Sequence, residues 1–187
     1  MNYHETTAEL QRTLDAFFAA KASAVDAALE DIVASLRSGG KILLFGNGGS
    51  AAEAQHFAAE LVNKFGPMRR ALAALALTTD TSALTAVGND IAFDKIFSRQ
   101  IEALGRAGDV AIGLTTSGAS ANVVEGLKAA CAAGLKTIAM TGEGGGKVAE
   151  WADVLLDVPS RSTARIQEVH LVVLHLLAGG VDERLAD

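Results

Sequence analysis

KILLFGNGGSAAEAQHFAAELVNKF, residues 41–65, decides how the rest of the chain is read. Lys41–Phe45 is a short apolar run of the kind that forms a buried parallel strand. Gly46-Asn47-Gly48-Gly49-Ser50 then turns the chain, and from Ala51 on the residues favour helix without a break. A strand, a glycine turn and a helix start leave backbone N–H groups unpaired at the helix N-terminus, where an anion such as phosphate is stabilised. Ser50 is placed to cap that helix and to offer its hydroxyl to the same anion. His56 and Glu60 follow, four residues apart and so on one face. An anion cradle leading into a His/Glu pair points to a phosphorylated substrate, with acid/base or metal chemistry one to two turns away.

Plainer readings of the same residues exist. A glycine turn after a strand can be only a tight connection, and an i,i+4 His/Glu pair can be only a solvated helix pair. Gly46-x-Gly48-x-x-Ala51 also meets the loose dinucleotide fingerprint, with Asp80 at the end of the next strand as the ribose acid. A dinucleotide site, however, has no use for His56 and Glu60.

The 187 residues suit one domain with a substantial core. Half are hydrophobic but only 5% aromatic, and alanine is abundant, as expected of helices packed closely on a sheet. A net charge of −6 leaves no footprint for nucleic acid. One cysteine, Cys131, excludes an internal disulfide and a cysteine-rich metal site, and reads as a small core residue of a helix. No signal peptide opens the sequence and no apolar run approaches a membrane span, so a soluble, cytoplasmic protein without a membrane partner is expected.

Residues 5–37 lack glycine and proline and carry Leu10, Leu14, Phe17, Phe18, Val25, Leu29, Ile32, Val33 and Leu36 at three- and four-residue steps. They read as one long amphipathic helix, or two with a bend near Lys21–Ser23, stopped by Ser38-Gly39-Gly40. The stripe is broad enough that residues 1–38 are expected to join subunits, with 39–187 forming the core. Ala71–Leu77 reads as a second strand, followed by a polar turn and a short helix to Val87. Gly88-Asn89-Asp90 interrupts before another helical pattern through Leu104. Asp109–Leu114, Lys136–Met140 and Val154–Val158 read as strands three to five, with helices over Ala121–Ala133 and Thr163–Leu185 and a short one after the Gly142–Gly146 loop.

Strands alternating with helices predict an α/β fold, a five-stranded parallel sheet covered on both faces. Ligands of such sheets bind beyond the carboxyl ends of the strands, where strand order switches. Two of those ends are rich in hydroxyls and glycines: 46–50 and Thr115-Thr116-Ser117-Gly118-Ala119-Ser120. The second offers four hydroxyls in six residues and opens a helix, which makes it the better cradle. The last helix carries Arg165, Gln167, Glu168, His170 and His175. At 100° per residue, His175 lies about 80° from Gln167 and about 20° from Glu168, whereas His170 lies about 140° from His175. Gln167 and His175 can therefore share a face, and His170 reads as a satisfied, partly buried histidine.

Four segments together resemble the sugar isomerase (SIS) domain, and more closely the bacterial phosphoheptose isomerases: GNGGSAAEAQHFAAE (46–60), TAVGNDIAFDKIFSRQ (85–100), GDVAIGLTTSGASANV (108–123) and ARIQEVHLVVLH (164–175). They run through the chain in order, and four at this spacing are specific. The resemblance implies a flavodoxin-like SIS fold and conversion of sedoheptulose 7-phosphate into D-glycero-D-manno-heptose 7-phosphate, a precursor step of ADP-heptose and lipopolysaccharide core synthesis. It further implies one Zn2+ per subunit, held by His56, Glu60, Gln167 and His175. Substrate contacts are implied at Asn47, Gly48, Gly49, Ser50, Glu60, Asn89, Asp90, Thr115, Thr116, Ser117, Ser120 and Gln167, in a homotetramer whose sites use neighbouring subunits. One departure is Lys64, where some relatives have arginine.

The chemistry suits these side chains. Moving a carbonyl from C2 to C1 needs a base at C1, a stabilised enediolate and reprotonation at C2. A carboxylate and an imidazole can shuttle those protons, with Glu60 as base and His175 as acid, or the reverse. The alternatives are an isomerase of another sugar phosphate, or a non-catalytic SIS scaffold resembling the DnaA initiator-associating protein. The scaffold lacks the glutamate and second histidine found here as Glu60 and His175.

Overall fold

Strands β1 (Ile42–Gly46) and β3 (Val110–Thr115) have every residue buried, and alternate side chains enter two different cores. Ile42, Leu44, Val110, Ile112 and Leu114 face one side; Leu43, Phe45 and Ala111 face the other. A sheet apolar on both faces needs helices on both. The computed structural model, which describes residues 2–185, supplies them. With β2 (Ala74–Ala76), β4 (Lys136–Thr141) and β5 (Val154–Asp157) the strands form one all-parallel sheet in the order β2-β1-β3-β4-β5. Helices α1 (Tyr3–Arg37), α2 (Gly49–Val62) and α6 (Thr163–Leu185) cover the first face. Helices α3 (Thr81–Asp90), α4 (Ser98–Leu104) and α5 (Ala121–Ala132) cover the second, with 3-10 turns at Phe93–Lys95 and Gly146–Trp151.

Several boundaries differ from the sequence reading. The first helix is a single unbroken rod of 35 residues. Its stripe contributes to the core of its own chain: Phe17, Ala28, Ile32, Val33 and Leu36 are buried, and Leu10, Leu14, Phe18, Val25 and Leu29 lie partly buried against the same core. Arg165 donates to the Thr6 carbonyl at 3.1 Å and Arg37 to the Arg184 carbonyl at 2.9 Å, so α1 and α6 run side by side in the same direction. The second strand shrinks from Ala71–Leu77 to Ala74–Ala76, because it lies at the sheet edge and pairs only with β1. Helix α3 continues through Gly88-Asn89-Asp90, where an interruption was expected. Beyond it the expected helix to Leu104 is one 3-10 turn and the short α4.

Adjacent strands β1 and β3 send their following helices to opposite faces, α2 to the first and α5 to the second. The crevice this opens at their carboxyl ends is where open α/β sheets bind ligands.

Candidate active site

The crevice is a cleft of about 260 Å³ lined by Asn47, Gly49, Ser50, Leu114, Thr115, Thr116, Ser120, Thr163 and Gln167. Gln167, on α6, reaches over the start of α2 so closely that a Cβ at Gly49 would collide with its amide. Thr115 Oγ1 lies 3.0 Å from Ser120 Oγ and 3.4 Å from Ser117 Oγ, and the Ala119 N–H donates to Ser117 Oγ at 3.2 Å. No side chain caps α2 or α5. The expected Ser50 cap is therefore corrected: the cap position is Gly48, and Ser50 sits buried inside the first turn. A second loop stiffens this one. Gly118 has φ +64°, and a Cβ there would run into the Gly145 carbonyl. Its own carbonyl accepts from Val148 N–H at 3.1 Å, and Thr116 O accepts from Gly142 N–H at 3.1 Å.

Further along the same two helices a second cluster forms. His56 Nε2 and His175 Nε2 are 2.8 Å apart, with rings at 63° to each other. Glu60 Oε1 lies 3.6 Å from His56 Nε2. Phe65, just past α2, stacks on His175 with centroids 5.4 Å apart. The cleft and this trio are thus two stations on one α2–α6 seam, His56 lying seven residues, or about 10 Å of helix rise, beyond Gly49.

Two imidazoles and a carboxylate are a donor set that suits zinc. Two nitrogens on one tetrahedral zinc stand about 3.3 Å apart, more than the 2.8 Å between the two imidazole nitrogens here. Among the described residues no group of three or more His, Cys, Asp or Glu closes on a metal-sized point, so the trio fits the ion in chemistry and needs a small opening of the His–His contact. Gln167, about two turns before His175, stands with the cleft and not with the trio. Asn89 and Asp90 join neither: they end α3, exposed, with Asn89 Nδ2 donating to Asp90 Oδ1 at 2.7 Å. Asp80, the candidate ribose acid, accepts from Ala83 N–H at 2.9 Å and serves as the cap of α3.

His170 is fully buried, not partly, and its Nε2 donates to the Thr141 carbonyl at 3.1 Å. Its Nδ1 faces Glu53 Oε2 at 3.9 Å, and neither atom has a hydrogen-bond partner. Glu168 is taken by a bidentate bond from Arg165 at 2.5 and 2.6 Å. Lys64 Nζ donates to Gly66 O at 3.3 Å.

The reading of the sequence missed what holds the trio. Arg69, its side chain 2% exposed, donates to the carbonyls of Glu60, Leu61 and Arg70 at 2.8–2.9 Å and to Asp182 at 2.6 Å. Asp182 also accepts from Gly66 N–H at 2.7 Å. Burial pushes the Asp182 carboxyl up, but the bonds from Gly66 and Arg69 outweigh it and hold it below its ordinary range. The last turn of α2, the Phe65 loop and α6 are locked together by this pair. One signal was visible: an aspartate in phase with the buried Leu174, Ala178 and Val181 must have a partner.

A flavodoxin-ordered sheet with a hydroxyl cleft at its switch point and a helix seam carrying His and Glu is the architecture of SIS-domain proteins, and the SIS domain model matches residues 6–142. The phosphoheptose isomerase of Aquifex aeolicus is 58% identical over 156 residues, covering 83% of this chain and 82% of that one. The phosphoheptose isomerase structure from Neisseria gonorrhoeae superposes with a TM-score of 0.90 at 48% identity over 96% of each chain. That from Francisella tularensis gives 0.87 at 36% identity, covering 98% of this chain and 100% of the other. The chain belongs to the phosphoheptose isomerase family.

Proposed function

We propose that the protein interconverts sedoheptulose 7-phosphate and D-glycero-D-manno-heptose 7-phosphate, feeding heptose into ADP-heptose and lipopolysaccharide core synthesis. The observation that carries this reading is the seam itself, with a hydroxyl-lined cleft at one end and His56, Glu60 and His175 at the other. Family membership above 50% identity to phosphoheptose isomerases supports the same conclusion.

In this reading Thr115, Thr116, Ser117, Ser120 and the turn 47–50 hold the phosphate. Glu60 removes the proton from C1, and His175 delivers a proton at the other end of the enediol. His56, Glu60 and His175 would hold a zinc ion, and Gln167 would complete the shell by turning its amide from Gly49 toward His175. Bound zinc polarises the carbonyl and steadies the oxyanion. Phe65 keeps the His175 ring in plane and shields one side of it from water.

Assembly belongs to the same proposal. Phe65, Met68 and Leu176 are exposed around the histidine end, and Asn89 and Asp90 serve neither cluster of their own chain. A homotetramer that covers the first group and brings the second to a neighbour's site accounts for both, and light scattering at micromolar concentration should report four chains. No helix among the described residues is long and apolar enough to cross a membrane. With a sugar-phosphate substrate, a cytoplasmic enzyme is the expectation that belongs to this reading.

The direct test is to incubate the purified protein with sedoheptulose 7-phosphate and follow aldose formation. Aldose should accumulate to an equilibrium mixture; no conversion with zinc supplied would overturn the reading.

A further inference from the structure

Asn47 and Asn122 exchange two hydrogen bonds: Asn47 Nδ2 donates to Asn122 Oδ1 at 2.9 Å, and Asn122 Nδ2 donates to Asn47 Oδ1 at 2.8 Å. Asn47 stands exposed in the turn after β1, whereas Asn122, in the first turn of α5, is 3% exposed. The pair therefore joins the β1–α2 turn to the start of the helix that follows β3. Those are the two walls of the cleft, which lead to opposite faces of the sheet. No side chain caps either helix start, so the N–H groups that face the cleft are aimed by backbone position alone. A buried amide that loses its partner pays the desolvation of its polar atoms in full, which keeps the pair closed.

We infer that Asn122 is a positioning residue that sets the width of the phosphate cleft, and that Asn47 acts through it as a loop clasp and not as a side-chain donor to the substrate. This rests on the isomerase reading above for its substrate, but not for its geometry. The resemblance to relatives implies a substrate contact at Asn47; here its oxygen and one of its N–H groups are committed to Asn122, so the backbone and the one remaining N–H are what it can offer a ligand. The side chain of Asn122 lines no part of the cleft. An effect of Asn122 on substrate is then indirect, and its side-chain hydrogen bonds lead to Asn47.

A double-mutant cycle of Asn47→Ala and Asn122→Ala separates the two roles. If the pair is a clasp, each single variant should raise KM by on the order of tenfold while kcat stays within about twofold, because the phosphate end is loosened and the reacting end is not. The double variant should be no worse than either single one. Additive losses, or Asn47→Ala clearly worse than Asn122→Ala, would show that Asn47 meets the substrate itself and overturn the inference. A fall in kcat at unchanged KM would overturn it too. Should Asn122→Ala fail to fold, Asn122→Ser replaces it in the cycle: its short hydroxyl cannot make both bonds to Asn47, and the same rise in KM and the same non-additivity with Asn47→Ala are expected. A wild-type protein that turns over no sedoheptulose 7-phosphate defeats the isomerase reading alone. The cycle is then run on binding of inorganic phosphate by calorimetry, where equal and non-additive losses support the clasp and additive ones reject it.

Discussion

The cleft and the histidine end lie on one seam but are held in different ways. The cleft is fixed from close by: hydroxyls bond to each other across five residues, backbone meets backbone at Gly118, and the Asn47–Asn122 pair ties the two walls. The histidine end is fixed from a distance. His56 is exposed, His175 and Glu60 are half-buried, and their placement depends on Phe65, Arg69 and Asp182, which touch no cleft residue. In the proposed function the cleft binds the phosphate and the histidine end moves protons, so binding would rest on backbone contacts and proton transfer on side chains steadied by their surroundings.

The largest effect should come from the reacting groups. Glu60→Gln and His175→Asn should each lower turnover by on the order of 10²-fold or more with the fold intact by circular dichroism. Near wild-type turnover in either would remove that residue from the mechanism.

The next comparison separates the two stations. His56→Ala should lose zinc in metal analysis while still binding a sugar phosphate weakly by calorimetry. Ser117→Ala with Ser120→Ala should keep zinc and raise KM by roughly tenfold or more, since hydrogen bonds to a dianion are lost. Normal substrate binding by the double serine variant would move the phosphate to the 46–50 turn.

A smaller effect is expected from Phe65→Leu, which keeps an apolar side chain but removes the stacked ring. It should lower kcat several-fold with KM near wild type, and equal changes in both would place Phe65 in substrate binding instead.

The smallest concerns Asp182. Its folded carboxyl titrates below the unfolded value of about 3.9, so the stability it lends is fully present above that pH and is lost as pH falls through the lower folded value. In thermal melts the advantage of wild type over Asp182→Asn should be constant near neutrality and shrink below about pH 4. A gap that widens on acidification would mean that the carboxyl is not held low.

The same contrast governs what could be read in advance. The strands and both hydroxyl loops stood out because buried parallel strands are continuous apolar runs and their ends carry clustered glycine and serine. His175, 119 residues from His56, joined the site only through the resemblance to the family, whereas His56 and Glu60 were legible as a pair because helical spacing is local. Asn122, Phe65 and Arg69 were not: each matters through a partner at least 75 residues away, as Asn122 does with Asn47 across exactly that separation, or through a ring stacked from another helix. The edge strand was overestimated for a related reason, since composition cannot tell that residues 71–73 lack a neighbour to pair with. Family membership and activity were legible because four motif segments run through the chain in order.

The pairing of α1 with α6 has a consequence in time as well as in space. Synthesis runs from the amino end, so the apolar stripe of α1 leaves the ribosome before all five strands, while the helix that covers much of it follows them. Through most of synthesis that stripe has no native cover and is open to chaperones or to aggregation. A chain cut short before Thr163 would never acquire its cover, and quality control would find it by the same exposed helix.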